Sequence, residues 1–372
     1  MTFPIAENSA PSGEERSLTD QLAYLIRNEG PLTLAQFMSA ALTHPTHGYY
    51  RVHNPLGQSG DFITAPEISQ IFGELIGLWC LQTWIDMGSP TCFRLVELGP
   101  GRGSLMADLL RAARLHPSFL SAAEIHFVES STPLRALQRA ALPVGTQATW
   151  HDQFEEVTQG PFILIANEFF DCLPIRQFMR KGPNWHEQCV ALTQDGALCL
   201  VLSPSSIPDD ILLNPDRQSV PGTIVEVCLP AQSLAEKIAH RFSQHQGRAL
   251  IIDYGYAQPG TGDTLQALRH HTPCGILETP GEVDLTAHVD FSALASSAKQ
   301  GGARVAGPVE QGTFLKALGI EARAESLRKK ATSRQREDID SAVDRLAASN
   351  QMGSLFKVMS FSSADLPPPP GF

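Results

Sequence analysis

The chain has 372 residues, enough for about two and a half domains of ordinary size, or for one large core with an appended lobe. Hydrophobic residues make up 42% and charged residues 18%, which excludes a wholly disordered protein. Lys and Arg number 28 against 39 Asp and Glu, and the resulting net charge of −11 excludes a general nucleic-acid binder, because phosphates need a basic footprint.

Residues 1–16 read as a flexible tail. Glu7, Glu14 and Glu15 stand there against Arg16 and no apolar run follows, so neither a secretory signal nor a transit peptide is expected. No apolar stretch approaches the ~20 residues of a membrane span. The seven Cys are scattered and form no CxxC pair, which fits a reducing compartment without a disulfide framework. Together these features predict a cytoplasmic protein.

SLTDQLAYLIRNEG predicts a helix: Ser17 caps it, Leu18, Leu22, Leu25 and Ile26 share a face, and Gly30 stops it. PLTLAQFMSAALTH predicts a second helix that starts near Pro31 and Thr33. After the turn HPTHGYY, the stretch GDFITAPEISQIFGELIGLWCLQTWIDMG begins as a loop. It continues from Pro66 as one long helix, with Glu67 in the favoured first turn. Asp61, Thr64, Glu67 and Ser69 alternate there with apolar residues. The segment is either a lid over a ligand, hinged at Gly57 and Gly60, or a capped helix start.

From about residue 93 the rhythm changes. The apolar strands FRLVELG, EIHFVES, ATWHDQ and PFILIANEFFD alternate with the helices SLMADLLRAARL and TPLRALQRAAL, the order of a doubly wound parallel α/β sheet. WHEQCVAL, ALCLVLS and TIVEVCLP interrupt it as short strands of an inserted antiparallel lobe. SLAEKIAHRFSQHQG, RALIIDYG, VDFSALASSAKQGG, ARVAGPVE and LFKVMSF resume it, with a charged helical stretch over 321–350. The expected division is a tail at 1–16, a helical N-terminal extension and lid at 17–90, a sheet domain at 91–175 and 231–362, a substrate-side lobe at 176–230, and a Pro-rich tail at 363–372.

The strongest chemical signal is LVELGPGRGSLMADLL. Gly99, Gly101 and Gly103 lie between a strand and a helix, where a backbone free of Cβ atoms lets a ligand approach and the helix start offers free N–H groups. The GxGxG spacing is not the GxGxxG of a dinucleotide fold. Glu97 just before it would repel a pyrophosphate and attract a cation, such as the sulfonium and amino group of S-adenosylmethionine (AdoMet). The alternative is a tight turn that only packs helix on strand.

Three strand ends extend the argument. Glu129 closes EIHFVES, where an acid can grip the two hydroxyls of a ribose. Asp152 can accept from an adenine amino group, with Trp150 or His151 along the ring; the choice among the three is open. Asn167, Glu168 and Asp171 follow the apolar strand FILI in ANEFFDCLP, beside Phe169 and Phe170. There a pair of acids can hold a guanidinium by charge-assisted hydrogen bonds and take its proton. His44 and His47 have HxxH spacing and His270 adjoins His271, but no further ligand completes a metal site, so none is expected. There is no GxSxG elbow and no Walker loop.

HPTHGYY, GDFITAPEISQIFGELIG, LVELGPGRGSLMADLLR, NEFFDCLPIRQF, IIDYGY, GEVDLTAHVDF and GPVEQGTFLKALGI follow one another as in the MidA-type methyltransferases, and over roughly residues 18–360 the chain resembles that family. The resemblance implies a Rossmann-like class I AdoMet-dependent methyltransferase: a seven-stranded sheet with helices on both faces, an inserted lobe and a helical N-terminal extension. It implies that Gly99, Gly101 and Gly103 hold AdoMet with Glu97 and Glu129, and that Asn167 and Glu168 face the acceptor. The mitochondrial member of the family looks like a protein arginine methyltransferase of a respiratory complex I subunit, which suggests a protein substrate of that kind here. The double-Glu hairpin of the best-known arginine methyltransferases has no counterpart, since NEFFD offers one Glu and one Asp. With no presequence expected, the member reads as bacterial and cytoplasmic. Rival readings are a nicotinamide or flavin oxidoreductase, opposed by the glycine spacing and Glu97, and an assembly chaperone that keeps an AdoMet pocket.

Overall fold

The structure is a computed structural model that describes residues 17–52, 63–207, 219–269 and 272–372. The N-terminal part gives α1 (Leu18–Glu29), β1 (Leu32–Thr33), α2 (Leu34–Thr43), α3 (Tyr49–Val52), α4 (Ala65–Ile68) and α5 (Gln70–Asp86). Ser17 and Thr33 cap α1 and α2 as their sequences require, and Thr33 forms a reciprocal capping box with Gln36. The helix expected to run unbroken from Pro66 is interrupted. Ser69 is extended, and its hydroxyl accepts the Ile71 N–H and starts α5 afresh. The break lets α4 turn toward the glycine loop while α5 stays in the core.

Alternation then holds: β2 (Phe93–Leu98), α6 (Ser104–Ala113), α7 (Pro117–Ala122), β3 (Ala123–Val128), α8 (Thr132–Ala141), β4 (Ala148–His151) and β5 (Phe162–Asn167). The strands β6 (Arg176–Lys181), β7 (Asn184–Leu192), β8 (Leu198–Ile207) and β9 (Ile224–Val227) follow. After them come α9 (Leu229–Arg241) and β10 (Gly247–Tyr256), then the short β11 (Gln266–Arg269), β12 (Thr272–Cys274), β13 (Asp284–Thr286) and β14 (Val289–Asp290). The chain ends with α10 (Phe291–Gln300), β15 (Arg304–Glu310), α11 (Gln311–Ala317), α12 (Ile320–Arg328), α13 (Ser333–Ala347), α14 (Met352–Leu355) and β16 (Phe356–Ser362).

The main sheet runs β15-β16-β10-β5-β2-β3-β4, with the short β14 added at the end of β10. Strands β4, β3, β2, β5 and β10 are parallel, and β16 is antiparallel to both its neighbours. A parallel strand covered on both faces is apolar throughout. On β5, Ile163 and Ile165 enter the core beneath α5 and α6, while Phe162, Leu164 and Ala166 enter the core beneath α9 and α10. The crossover at β2 and β5 places the carboxyl ends of both strands side by side, where ligands bind in such sheets.

A second, antiparallel sheet is built from β6 to β9, and β1 of the N-terminal extension pairs with β7. A third core joins α1 and α2 to this sheet and to Leu265, Ala267, Val283 and Leu285 around β11 and β13. The β11-β12-β13 sheet is absent from the sequence expectation, which places 231–362 wholly in the main sheet domain. The expected C-terminal tail is instead packed. Leu366 is buried, Arg248 donates to Pro367 O at 2.6 Å, Trp79 donates to Pro370 O at 3.2 Å, and Phe372 lies against Phe314.

Candidate active site

One cavity of about 330 Å³ opens at the carboxyl ends of β2, β3 and β5. Its floor is the glycine turn. Gly99, Gly101 and Gly103 have φ of 57°, 53° and 85°, a left-handed run that disfavours residues with a Cβ. A Cβ on Gly99 would also stand 2.7 Å from the Phe169 ring. Gly99 and Gly101 line the cavity, whereas Gly103 does not: it starts α6 and packs against Gln138. No side chain caps α6, so its first amides are left for a ligand.

Glu97 stands at the end of β2, lines the cavity and is 3% exposed. Its Oε2 has no hydrogen-bond partner, and burial pushes its pKa up to about 8. A buried carboxyl with an open acceptor oxygen fits the ammonium of a methionine moiety.

Glu129 lines the next part of the wall. Its Oε1 accepts Ser131 N–H at 2.7 Å and its Oε2 accepts Gln138 Nε2 at 3.1 Å. Burial raises its pKa, against the opposing pull of these bonds. Gln138 also donates to Gly101 O at 2.8 Å and accepts from Trp150 Nε1 at 2.8 Å. It ties the glycine turn, the acid of β3 and the end of β4 together, and sequence reasoning missed it. The available signal was a Gln in line with Leu134 on the buried face of α8.

Of the three β4 candidates only Asp152 lines the cavity, exposed and paired to Arg135 at 2.6 Å. Trp150 turns to Gln138 and lies under Arg139, and His151 stacks on His126 with ring nitrogens 2.9 Å apart. Thr64, Pro66 and Glu67 border the cavity, and the Glu67 carboxylate accepts from Ser104 at the start of α6. Asp61, Gly57, Gly60, His270 and His271 lie outside the described residues. Among the described residues no group of His, Cys, Asp and Glu could hold a metal ion. His44 and His47 stack on each other.

The far end of the cavity is the turn after β5. Glu168 has φ of 50°, a left-handed conformation that residues other than Gly rarely adopt. Asp253, fully buried on β10, holds that turn: its Oδ2 accepts the amides of Phe169, Phe170 and Asp171 at 3.1, 2.9 and 3.3 Å. Sequence reasoning assigned Asp253 no role, although an acid ending an apolar parallel strand was the signal.

Glu168 Oε1 accepts from Ala65 N at 2.9 Å and from Asn167 Nδ2 at 3.1 Å. Donation by Nδ2 leaves Asn167 Oδ1, buried and without a partner, as a second open acceptor. Burial, then the nearby Asp171 charge, raises Glu168 to about 7, and burial raises Asp171 to about 6. The α2–α3 segment closes this end with Ser39, Thr43 and Tyr50. Among the described residues of the 176–230 lobe none lines the cavity; they act at one remove, bracing α2 through the β1–β7 pairing.

A glycine turn fronted by a buried acid, a braced acid on the next strand and an acidic turn beyond β5, on a sheet of this order, define a class I AdoMet-dependent methyltransferase. The chain belongs to the S-adenosyl-L-methionine-dependent methyltransferase family whose model matches residues 75–309. It is 38% identical to the rat protein arginine methyltransferase NDUFAF7, mitochondrial, covering 88% of this chain and 80% of the relative. The human protein of that name is 37% identical, covering 90% and 81%, and the Drosophila melanogaster homolog 38%, covering 96% and 87%. A Burkholderia thailandensis protein assigned to the methyl transferases, solved with S-adenosyl-homocysteine, superposes with a TM-score of 0.81 at 25% identity, covering 98% of this chain and 97% of its own. AdoMet is therefore the cofactor. The expectation of a cytoplasmic location is overturned, because curated relatives that match along most of the chain are mitochondrial proteins.

Proposed function

We propose that the enzyme transfers the methyl group of AdoMet to an arginine side chain of a partner protein. The observation that carries this reading is the acidic end of the cavity, where Asn167, Glu168 and Asp171 meet on one rigid turn. The names of the relatives support it, since those proteins are called arginine methyltransferases. A respiratory complex I subunit, the substrate suggested by the family resemblance, is the one to try first.

In this reading Glu97 accepts the ammonium of the cofactor's methionine part and the amides of α6 receive its carboxylate. Glu129 holds the ribose hydroxyls, Asp152 meets the adenine amino group, and Thr64 borders the cofactor from the lid side. The bound cofactor supplies an electrophilic methyl group. A guanidinium is a poor nucleophile while its charge is delocalised and its protons are in place. Glu168 and Asp171 accept its N–H groups, fix one nitrogen in line and draw charge toward it. Glu168 Oε1 is already bonded to Ala65 and Asn167, which leaves Oε2 to take the proton lost as the N–C bond forms.

The test is labelled-methyl transfer from AdoMet to a protein extract of cells lacking this gene, followed by acid hydrolysis. Methylarginine above background is the expected product. Label confined to other residues, or none, overturns the assignment.

A further inference from the structure

We propose that Asp284, positioned by Tyr50, is a third carboxylate of the acceptor site and binds the substrate guanidinium from outside the catalytic turn. The inference rests on the arginine reading above and deepens it.

Asp284 opens β13 and is 5% exposed, yet it lines the same cavity as Glu168 and Asp171. Its place there is fixed from two sides. Just past β13, Ala287 N–H donates to Asp171 O at 2.9 Å, which ties this strand to the catalytic turn. From the N-terminal extension, Tyr50 on α3 donates its hydroxyl to Asp284 Oδ1 at 2.9 Å. The Tyr50 ring sits edge-on to the fully buried Tyr49, with centroids 5.3 Å apart. The segments leading into α3 and β13 are also pressed together: Gly281 has φ of 87°, and a Cβ there would lie 2.2 Å from His47 O. Three segments distant in sequence thus converge on one end of the cavity.

The ligand chemistry follows from the acceptors. A guanidinium presents five N–H donors spread around one plane, so acceptors on a single turn face only one edge of it, while an ammonium presents three from a single point. Glu168 has already committed Oε1. Asn167 Oδ1, buried and unpartnered in the same wall, is an independent sign that a donor-rich group belongs there. Asp284 adds carboxylate oxygen from a separate element, so the site embraces a planar cation rather than touching one edge of it. This arrangement does the work of a two-Glu hairpin with acids drawn from two parts of the chain and a tyrosine from a third.

The experiment is labelled-methyl transfer to the extract of cells lacking this gene, with methylarginine quantified at increasing extract concentration. S-adenosyl-homocysteine stabilisation is measured on every variant. Asp284→Asn is expected to raise the half-saturating extract concentration about ten-fold or more, with smaller change in the maximal rate and unchanged S-adenosyl-homocysteine stabilisation. Tyr50→Phe, which removes only a hydroxyl, is expected to raise it several-fold. Asp284→Asn that methylates arginine at the wild-type half-saturation overturns the proposal. If Asp284→Asn loses cofactor stabilisation, Tyr50→Phe decides: wild-type half-saturation overturns it. A wild-type enzyme that makes no methylarginine overturns the arginine reading itself, a result these variants cannot produce.

Discussion

At the scale of single residues, Glu168 is held in an unfavourable backbone conformation and an unfavourable dielectric at once. The backbone cost is sustained by Asp253, whose carboxyl group collects three consecutive amides of the turn. The reward is a base tuned to the working pH. Glu168 at about 7 and Asp171 at about 6 bind the cationic acceptor only when ionised. Raised carboxyl pKa values mean that activity is lost as pH falls. kcat/KM should rise from pH 6 to 8 and level off, falling below pH 6 with a slope steeper than one proton. Glu168→Gln should lower kcat about 10²–10⁴-fold with little change in AdoMet affinity. A flat wild-type profile over that range, or a Gln variant of full activity, would contradict this role.

The residues legible in the sequence were those next to a pattern break: Glu97 before the glycines, Glu129 and Asp152 at strand ends, Asn167 to Asp171 after an apolar run. Gln138, Asp253, Tyr50 and Asp284 were not legible as site residues. Each is tied to the site by a partner remote in sequence, Gln138 to Gly101, Asp253 to residues 169–171 and Tyr50 to Asp284.

Among elements, the long buried strands and amphipathic helices were readable because periodicity and burial agree in them. Three features were not. The break at Ser69 depends on a hydroxyl choosing the Ile71 amide over continuing a helix. Strands β11 to β13 are three or four residues each, too short for a period, and are fixed by pairing with one another. The C-terminal segment reads as Pro-rich and mobile, yet its carbonyls satisfy two buried side chains, Arg248 and Trp79. Removing residues 364–372 would uncover the surface that Leu366 packs on and take the Pro367 carbonyl from the buried Arg248, leaving it paired to Asp86 alone among acids. The cost should be about 3 kcal/mol and lower the Tm by several degrees. Calorimetric scanning of the truncated chain measures it; an unchanged Tm would mean the segment is not part of the folded core.

For the whole molecule, the chemistry gathers at one cavity lined by the buried acids Glu97, Asp171 and Asp284. The sheet order, the N-terminal extension and the antiparallel lobe converge to hold one acid-lined cavity. Compartment was the property least legible. An acidic start to the chain argued for the cytoplasm, while similarity along most of the chain leads to mitochondrial proteins.

Buried acids also link folding and binding to pH. With Glu97 raised to about 8 in the fold, the folded chain keeps a proton that the unfolded chain releases above its ordinary carboxylate range. Ligand-free stability should therefore fall as pH rises from about 4.5 to 8, and the cofactor should restore it. The most direct measurement is calorimetric titration of AdoMet at pH 6 and 7 in two buffers of different ionisation heat, with wild type and Glu97→Gln. Below the α-amino pKa of about 8 the ligand's ammonium is already formed, so any proton released comes from the protein. The account predicts release approaching one proton and tighter binding at pH 7 than at pH 6, with both effects lost and affinity weakened in Glu97→Gln. Binding without proton release, or a Gln variant that binds AdoMet as the wild type does, would contradict it.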